Sequence, residues 1–278
     1  SKGSVKYTVT SEDGQWTRIY FVSIKKMLEF GSEREFNFES FYQDKGYYIW
    51  TEPWKDSNGK SNKEPLWATG NPGYKISNSS TAAENYPTSP LEDGYEGKGV
   101  KLTTCRTSGL ADMVHKPIAA GNLFIGQFDP SNALQDAMSA TKFGRPFSFE
   151  TPPKTLTGYY KYKAGETFTD EKGKPVVGRT DIFSIYAIYF LTDDKVTYID
   201  SNVHYNDFMH PNMVALANLT DARVTGLGDN DWVKFEITFD YSAYNKVVDK
   251  ALLAKGRYKL GIVIASSAEG DYFRGSVG

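Results

Sequence analysis

The sequence predicts an all-β protein built as a two-sheet sandwich, on three observations. Tyrosine (19), phenylalanine (17) and glycine (25) are abundant among its 278 residues, a mixture suited to pleated surfaces joined by tight turns. The segment VKFEITFD alternates strictly: Val233, Phe235, Ile237 and Phe239 share one face, and Lys234, Glu236, Thr238 and Asp240 share the other. That is a strand with one buried and one wet side. Two further runs, IFSIYAIYFL (182–191) and RYKLGIVIAS (257–266), are apolar on both faces, as central strands covered by a second sheet are.

Taken in order, the chain opens with VKYTVT and WTRIYFVSI around Asp13-Gly14, the signature of a β-hairpin. A lone hairpin is marginal in water, so it packs on the remainder or ends a small sandwich of its own. Residues 31–46, GSEREFNFESFYQDKG, change character, which divides the chain into a segment 1–40 and a domain 41–278. From about residue 47 to 98, Gly, Pro, Asn and Asp recur at loop-forming spacing and enclose Trp50, Trp54, Trp67 and Tyr74. Helical periodicity is confined to SNALQDAMSA (131–140) and NKVVDKALLAKG (245–256), each a few turns at most, the second stopping at Gly256.

Several function classes fall away on composition. A formal net charge of −2 provides no positive field to gather phosphates, so nucleic acid is not an expected partner. One cysteine, Cys105, excludes an intramolecular disulfide and a cysteine-rich zinc cage. His115, His204 and His210 show no zinc-protease spacing, and phosphate-loop, dinucleotide-binding and nucleophile-elbow patterns are missing. No cofactor is expected beyond a structural Ca²⁺ at the acidic turns DGYEG (93–97) or GDNDW (228–232), which lack the EF-hand register. No apolar run has the length of a membrane-spanning helix.

Three ordered motifs carry a resemblance, KPIAAGNLFIGQFD, then TKFGRPFSFETPPKTLTGYYKYKAG, and finally GIVIASSAEGDYFRGSVG, in a region that starts with WATGNPGY. With these, residues 65–278 resemble the carbohydrate metabolism domain of Bacteroidetes surface proteins. The resemblance implies a β-jelly roll preceded by a small immunoglobulin-like domain, whose last strands the opening hairpin would be. It also implies an oligo- or polysaccharide partner and a lipoprotein-type location at the cell surface, outer membrane or periplasm. The family usually continues past a terminal Gly-Ser with an acidic strand, whereas this chain stops at Gly278, which would leave a ladder edge open.

Residue chemistry then selects candidates. Trp54 and Trp67 sit in loop contexts where a flat ring can stay exposed as a sugar platform, with Tyr74 nearby; the alternative is that they anchor the core. In TLTGYYKYKAGETF, Tyr159, Lys161 and Lys163 face one side of a strand and Tyr160 and Tyr162 the other, offering either a glycan ledge or an ordinary amphipathic strand. Arg106 and Asn122 are polar residues in strand-like apolar surroundings, directed at sugar hydroxyls or at loop backbone. The leading expectation is non-catalytic glycan binding. A glycoside hydrolase is the alternative and would need two facing carboxylates, for which Glu150, Asp181, Asp207, Glu236 and Asp271 are available without a distinguishing spacing. A structural or adhesive β module is the third reading.

Overall fold

A computed structural model of the chain describes residues 4–10, 17–23, 33–56, 58–147 and 151–278. The opening hairpin is present: strands Ser4–Thr10 and Thr17–Ser23 pair antiparallel, with Ser4 opposite Ser23 and Thr10 opposite Thr17. The Asp13-Gly14 turn between them lies outside the described residues.

The body of the protein is an eight-stranded antiparallel sheet. Along its main path the order is Ile199–Asp200, Thr141–Phe143, Asn122–Phe128, Tyr258–Ala265, Ser184–Leu191 and Met213–Asn218. Two short strands join it at the side, Trp67–Ala68 beside Asn122–Phe128 and Arg145–Pro146 beside Tyr258–Ala265. The two runs that are apolar on both faces are therefore neighbours at its heart, paired from Ser184 opposite Ala265 to Leu191 opposite Tyr258. Their alternate residues feed two cores. Ile185, Ala187 and Tyr189 point into the larger one with Leu123, Ile125, Val214 and Ile262. Tyr186, Ile188 and Phe190 point the other way, into a second cluster with Phe124, Phe143 and Val263. Each buried Ile, Leu, Val or Phe among them contributes roughly 1.5–3 kcal/mol by leaving water.

The larger core is closed by a second layer, the antiparallel ribbon of Thr155–Tyr160 and Val233–Thr238. Its inner face carries Leu156, Tyr160, Phe235 and Ile237 against that core. Thr157, Tyr159, Lys234, Glu236 and Thr238 face solvent. The strict alternation of VKFEITFD is thus the alternation of an outer sandwich layer, and the fold is an all-β sandwich. Near the start of the domain, Phe36 and Phe38 pack on Trp67, with ring centroids 5.1 and 5.5 Å away. The chain is engaged with the sandwich core from at least Phe36.

Helix is scarce, as expected, and shorter than the periodicity allows. In 131–140 only Ala137–Ala140 closes an α-turn, after a 3-10 turn at Pro130–Asn132. In 245–256 the helix is Lys250–Ala254, started by the Asp249 carboxylate accepting the Ala251 and Leu252 N–H groups and stopped at Gly256, φ +64°. The end of the chain is tied in: Gly275–Ser276 pairs with Phe168–Thr169, and Gly278 N–H donates to the Thr104 carbonyl at 3.1 Å.

Candidate functional site

The face of the large sheet that carries the second cluster is left open at one end. There, three neighbouring strands place Asn122, Ala265 and Ser184 in a row, and Phe124, Val263 and Tyr186 in the next row on the same side. These six positions floor a cleft of about 1060 Å³, counted out to open solvent. Its walls come from distant parts of the chain: the helix Asn71–Ser77 with Tyr74, the Lys116–Ala120 segment, the Ala137–Ala140 turn, and the 3-10 turn Gly270–Tyr272 with Phe273.

Polar groups converge on this apolar floor. His204 Nδ1 lies 3.2 Å from Asp271 Oδ2, and the His204 ring stacks on Tyr186 at 5.5 Å with 22° between planes. Complete burial, and then the nearby Asp271 carboxylate, push the Tyr186 phenol well above its ordinary pKa. The Tyr186 phenol therefore keeps its proton at physiological pH. Lys116 donates to the Ala133 carbonyl at 3.0 Å and lies 4.9 Å from the Phe273 ring centroid, with burial lowering its pKa. The cleft thus combines apolar ring surface with hydroxyl, amide, ammonium and carboxylate groups, the make-up of a small-molecule site.

The sequence-selected residues divide among several places. Trp54 and Trp67 are not open platforms: they are 7% and 3% exposed. The polar stretch around Trp54 forms a tight turn, with Lys55 bridged to Ser61 and Asp56 Oδ1 accepting the Asn58 and Lys60 N–H groups. The indole folds beneath that turn, its Nε1–H donating to the Glu64 carbonyl at 2.6 Å and the Arg145 guanidinium 4.6 Å above it. Tyr74 is also buried, yet it reaches the cleft wall. Asn122 lines the cleft, but its Oδ1 accepts the Gly70 N–H at 2.6 Å and so ties loop backbone. Arg106 is solvent-exposed on the short strand Cys105–Arg106, not embedded in apolar surroundings.

Tyr159 and Lys161 form a second locus on the outer ribbon. Tyr159 stacks on Tyr95 with centroids 3.6 Å apart and planes 8° from parallel, while Trp232 meets Tyr95 edge-on at 6.0 Å. Lys161 Nζ sits 4.6 Å over Trp232. Tyr160 and Tyr162 turn inward onto Phe183, as the alternation of the strand requires. Tyr95 and Trp232 escaped selection because one lies in an acidic turn and the other precedes a clean strand; neither position advertises an exposed ring.

The described carboxylate candidates have different surroundings, although burial and then both Asp271 and Asp207 raise the pKa of the Tyr272 phenol. Asp271 lines the cleft. Asp181 is buried and fully used: it accepts the Ser267 hydroxyl and the Ile182 N–H at 2.9 Å each, and the Ser276 N–H at 2.7 Å. Burial outweighs these donors and raises its pKa. Asp207 and Glu236 are exposed, Glu236 beside Lys234 at 4.0 Å, and Glu150 lies outside the described residues. Among the described residues lining the cleft, Asp271 is the single carboxylate. Among the described residues no group of three or more His, Cys, Asp or Glu is placed to hold a metal ion, and in the 228–232 turn Asp231 Oδ2 accepts the Gly228 N–H at 2.7 Å. No helix among them is long and apolar enough to cross a membrane.

Comparison with known proteins places this architecture. Among curated proteins none matches the chain. A crystal structure of a "putative glycoside hydrolase" from Bacteroides thetaiotaomicron VPI-5482 is similar at 40% identity and a TM-score of 0.77, covering 99% of this chain and 75% of that one. A second "putative glycoside hydrolase", from Bacteroides vulgatus ATCC 8482, is similar at 38% identity and a TM-score of 0.76, covering 87% of this chain and 92% of that one. Residues 37–278 match the family described as "Putative carbohydrate metabolism domain", and the chain belongs to that family.

Proposed function

We propose that the protein recognises a carbohydrate in the cleft on the large sheet and holds it without cleaving it. The observation that carries this reading is the composition of the cleft: a floor of rings and aliphatic groups, hydrogen-bonding groups on its flanks, and Asp271 as its single carboxylate among the described residues. Apolar ring faces suit the C–H faces of a pyranose, those of the half-buried Phe128 and Phe273 being partly open; Asn122, Ser184 and Lys116 supply groups suited to its hydroxyls, and the buried Tyr186 phenol backs the floor. Glycoside hydrolysis by the usual routes needs an acid and a second carboxylate about 5–9.5 Å apart across the sugar. Asp181 does not supply the second, since both its oxygens are occupied by protein donors.

Isothermal titration against a panel of host and plant oligosaccharides tests the reading. Tyr186→Phe and Asp271→Asn each remove or weaken one hydrogen-bonding group, and each is expected to lower affinity about 3- to 20-fold, the range of a hydrogen bond to a neutral or charged partner. Binding that is unchanged in both variants would place the ligand elsewhere.

Hydrolysis remains the second reading, favoured by the cleft position of Asp271 beside His204 and by the names given to the two similar Bacteroides proteins. It predicts release of new reducing ends from a bound glycan, abolished in Asp271→Asn. Release that persists in that variant would remove Asp271 from the chemistry.

A further inference from the structure

The exposed rings on the outer ribbon are a feature the cleft does not use. Tyr95 and Tyr159 are 47% and 41% exposed, whereas most large aromatic side chains of the sandwich are sealed in its cores. Three separate elements bring the ledge together: Tyr159 from strand Thr155–Tyr160, Trp232 from the residue before strand Val233–Thr238, and Tyr95 from the turn between strands Thr88–Leu91 and Gly99–Leu102.

Each ring is held in place. Tyr159 stands directly opposite Lys234 in the ladder. Lys161 covers Trp232 and also donates to the Leu227 carbonyl at 3.2 Å. The turn that carries Tyr95 is closed by the Gly94 N–H donating to the Gly97 carbonyl at 2.7 Å, and clamped by Glu39 Oε1 accepting the Lys98 N–H at 2.7 Å. A surface of short-jointed aromatic side chains fixed in advance loses little conformational entropy on binding.

The rim decides what such a surface takes. On the same outer face, Lys234 and Glu236 approach to 4.0 Å, Thr157 stands opposite Glu236, and Lys161 adds a cation on the Trp232 side. Glu236, and Glu96 close to Tyr95, offset Lys234 and Lys161, so the rim has no strong positive field that would select a polyanion. Tyr95 and Tyr159 cover one face of each other, and the ring surface they leave exposed, bordered by hydroxyl-bearing and charged hydrogen-bonding groups, matches a neutral pyranose ring, whose C–H face stacks while its equatorial hydroxyls reach the rim. None of these residues lines the cleft.

We infer that the Tyr95–Tyr159–Trp232 ledge is a second carbohydrate contact, which takes the flat face of a neutral polysaccharide chain. The inference rests on the carbohydrate reading of the protein but on a different surface, so the two can fail separately.

The test is affinity electrophoresis in gels containing xylan, hydroxyethylcellulose, galactomannan or glycogen, run with the wild-type protein, Tyr95→Ala, and Tyr95→Ala with Tyr159→Ala. Retardation of the wild type by at least one polymer, weakened about tenfold in the double variant, is expected from the loss of aromatic stacking. Oligosaccharide affinity measured by calorimetry should be unchanged in the same variant, and should fall instead in the cleft variants Tyr186→Phe and Asp271→Asn. Because Tyr95 lies in a surface turn, its single replacement preserves the test if the double variant fails to fold. Equal retardation of wild type and variants overturns the inference, as does a wild type that none of the four polymers retards. So does sedimentation showing that the ledge mediates a wild-type dimer lost in the double variant. The cleft reading is decided separately, by the oligosaccharide titration of the Tyr186→Phe and Asp271→Asn variants.

Discussion

Trp54 sits in one of the most polar stretches of the chain, yet its indole is buried, and the distinction between backbone and side chain explains why. Asp56, Asn58 and Lys60 form a turn in which the Asp56 carboxylate accepts the Asn58 and Lys60 N–H groups and the Lys60 carbonyl accepts that of Asp56. Their polarity reports where the backbone runs and says nothing of the direction of a neighbouring ring. The ring contacts the larger core, and its one polar atom finds the Glu64 carbonyl. Replacing Trp54 with alanine should therefore cost about 3–5 kcal/mol of stability, the usual cost of emptying a buried aromatic site. The fraction that remains folded should bind oligosaccharide as the wild type does. Urea denaturation followed by calorimetry at a temperature where the variant is folded checks both; a small stability loss with a large affinity loss would show that the ring contacts ligand. The Tyr159/Tyr160 division was readable because a strand forces alternate residues to opposite faces. Whether the outward tyrosine would meet another ring was not, since its partner Tyr95 is remote in sequence.

Strands with strong patterns announce themselves at the level of elements, but their partners do not. The two doubly apolar runs became adjacent central strands, and VKFEITFD became half of an outer layer. The other half, Thr155–Tyr160, comes from far upstream, and its pairing is decided by which apolar faces cover the larger core. Gly144 marks a point where one stretch of chain serves two neighbours: Thr141–Phe143 pairs with Asn122–Phe128, and Arg145–Pro146 pairs with Tyr258–Ala265. The switch uses φ +110° at Gly144, and a Cβ there would lie 2.4 Å from Cζ of the buried Phe190 ring. Gly144→Ala thus combines backbone strain with overpacking and should cost about 2–4 kcal/mol, read as a lower denaturation midpoint with an unchanged slope. A near-neutral result would mean that the ring and the bend can relax together. Predicted helices shrank to single turns because short segments without an extended apolar partner gain little from continuing a helix.

For the molecule as a whole, the cleft is a tertiary object, and this limits how much of it a sequence can disclose. Its floor needs three strands in register, and its walls come from segments on either side of those strands. Tyr74, Asn122 and Asp271 could be nominated individually as polar or aromatic residues, but no local spacing links them. Tyr186, inside an apolar strand, reads as core, and His204 as one more histidine without a metal pattern. Because floor and walls span so much of the domain, a ligand seated there should stabilise the cooperative unit as well as bind. At a free concentration about one hundred times Kd, linkage adds about 2.7 kcal/mol to the folded state. For a domain of this size that corresponds to a rise of roughly 5–8 °C in Tm. Tyr186→Phe should need several-fold more ligand for the same rise, whereas the ledge variants should need no more than the wild type. The time course separates the two functional readings. A bound, uncleaved glycan holds the Tm constant through hours of incubation before the scan, whereas a hydrolase consumes its ligand and the shift decays toward the unliganded value. Decay in the wild type but not in Asp271→Asn would overturn the non-catalytic assignment and make that carboxylate the first residue of a reaction mechanism.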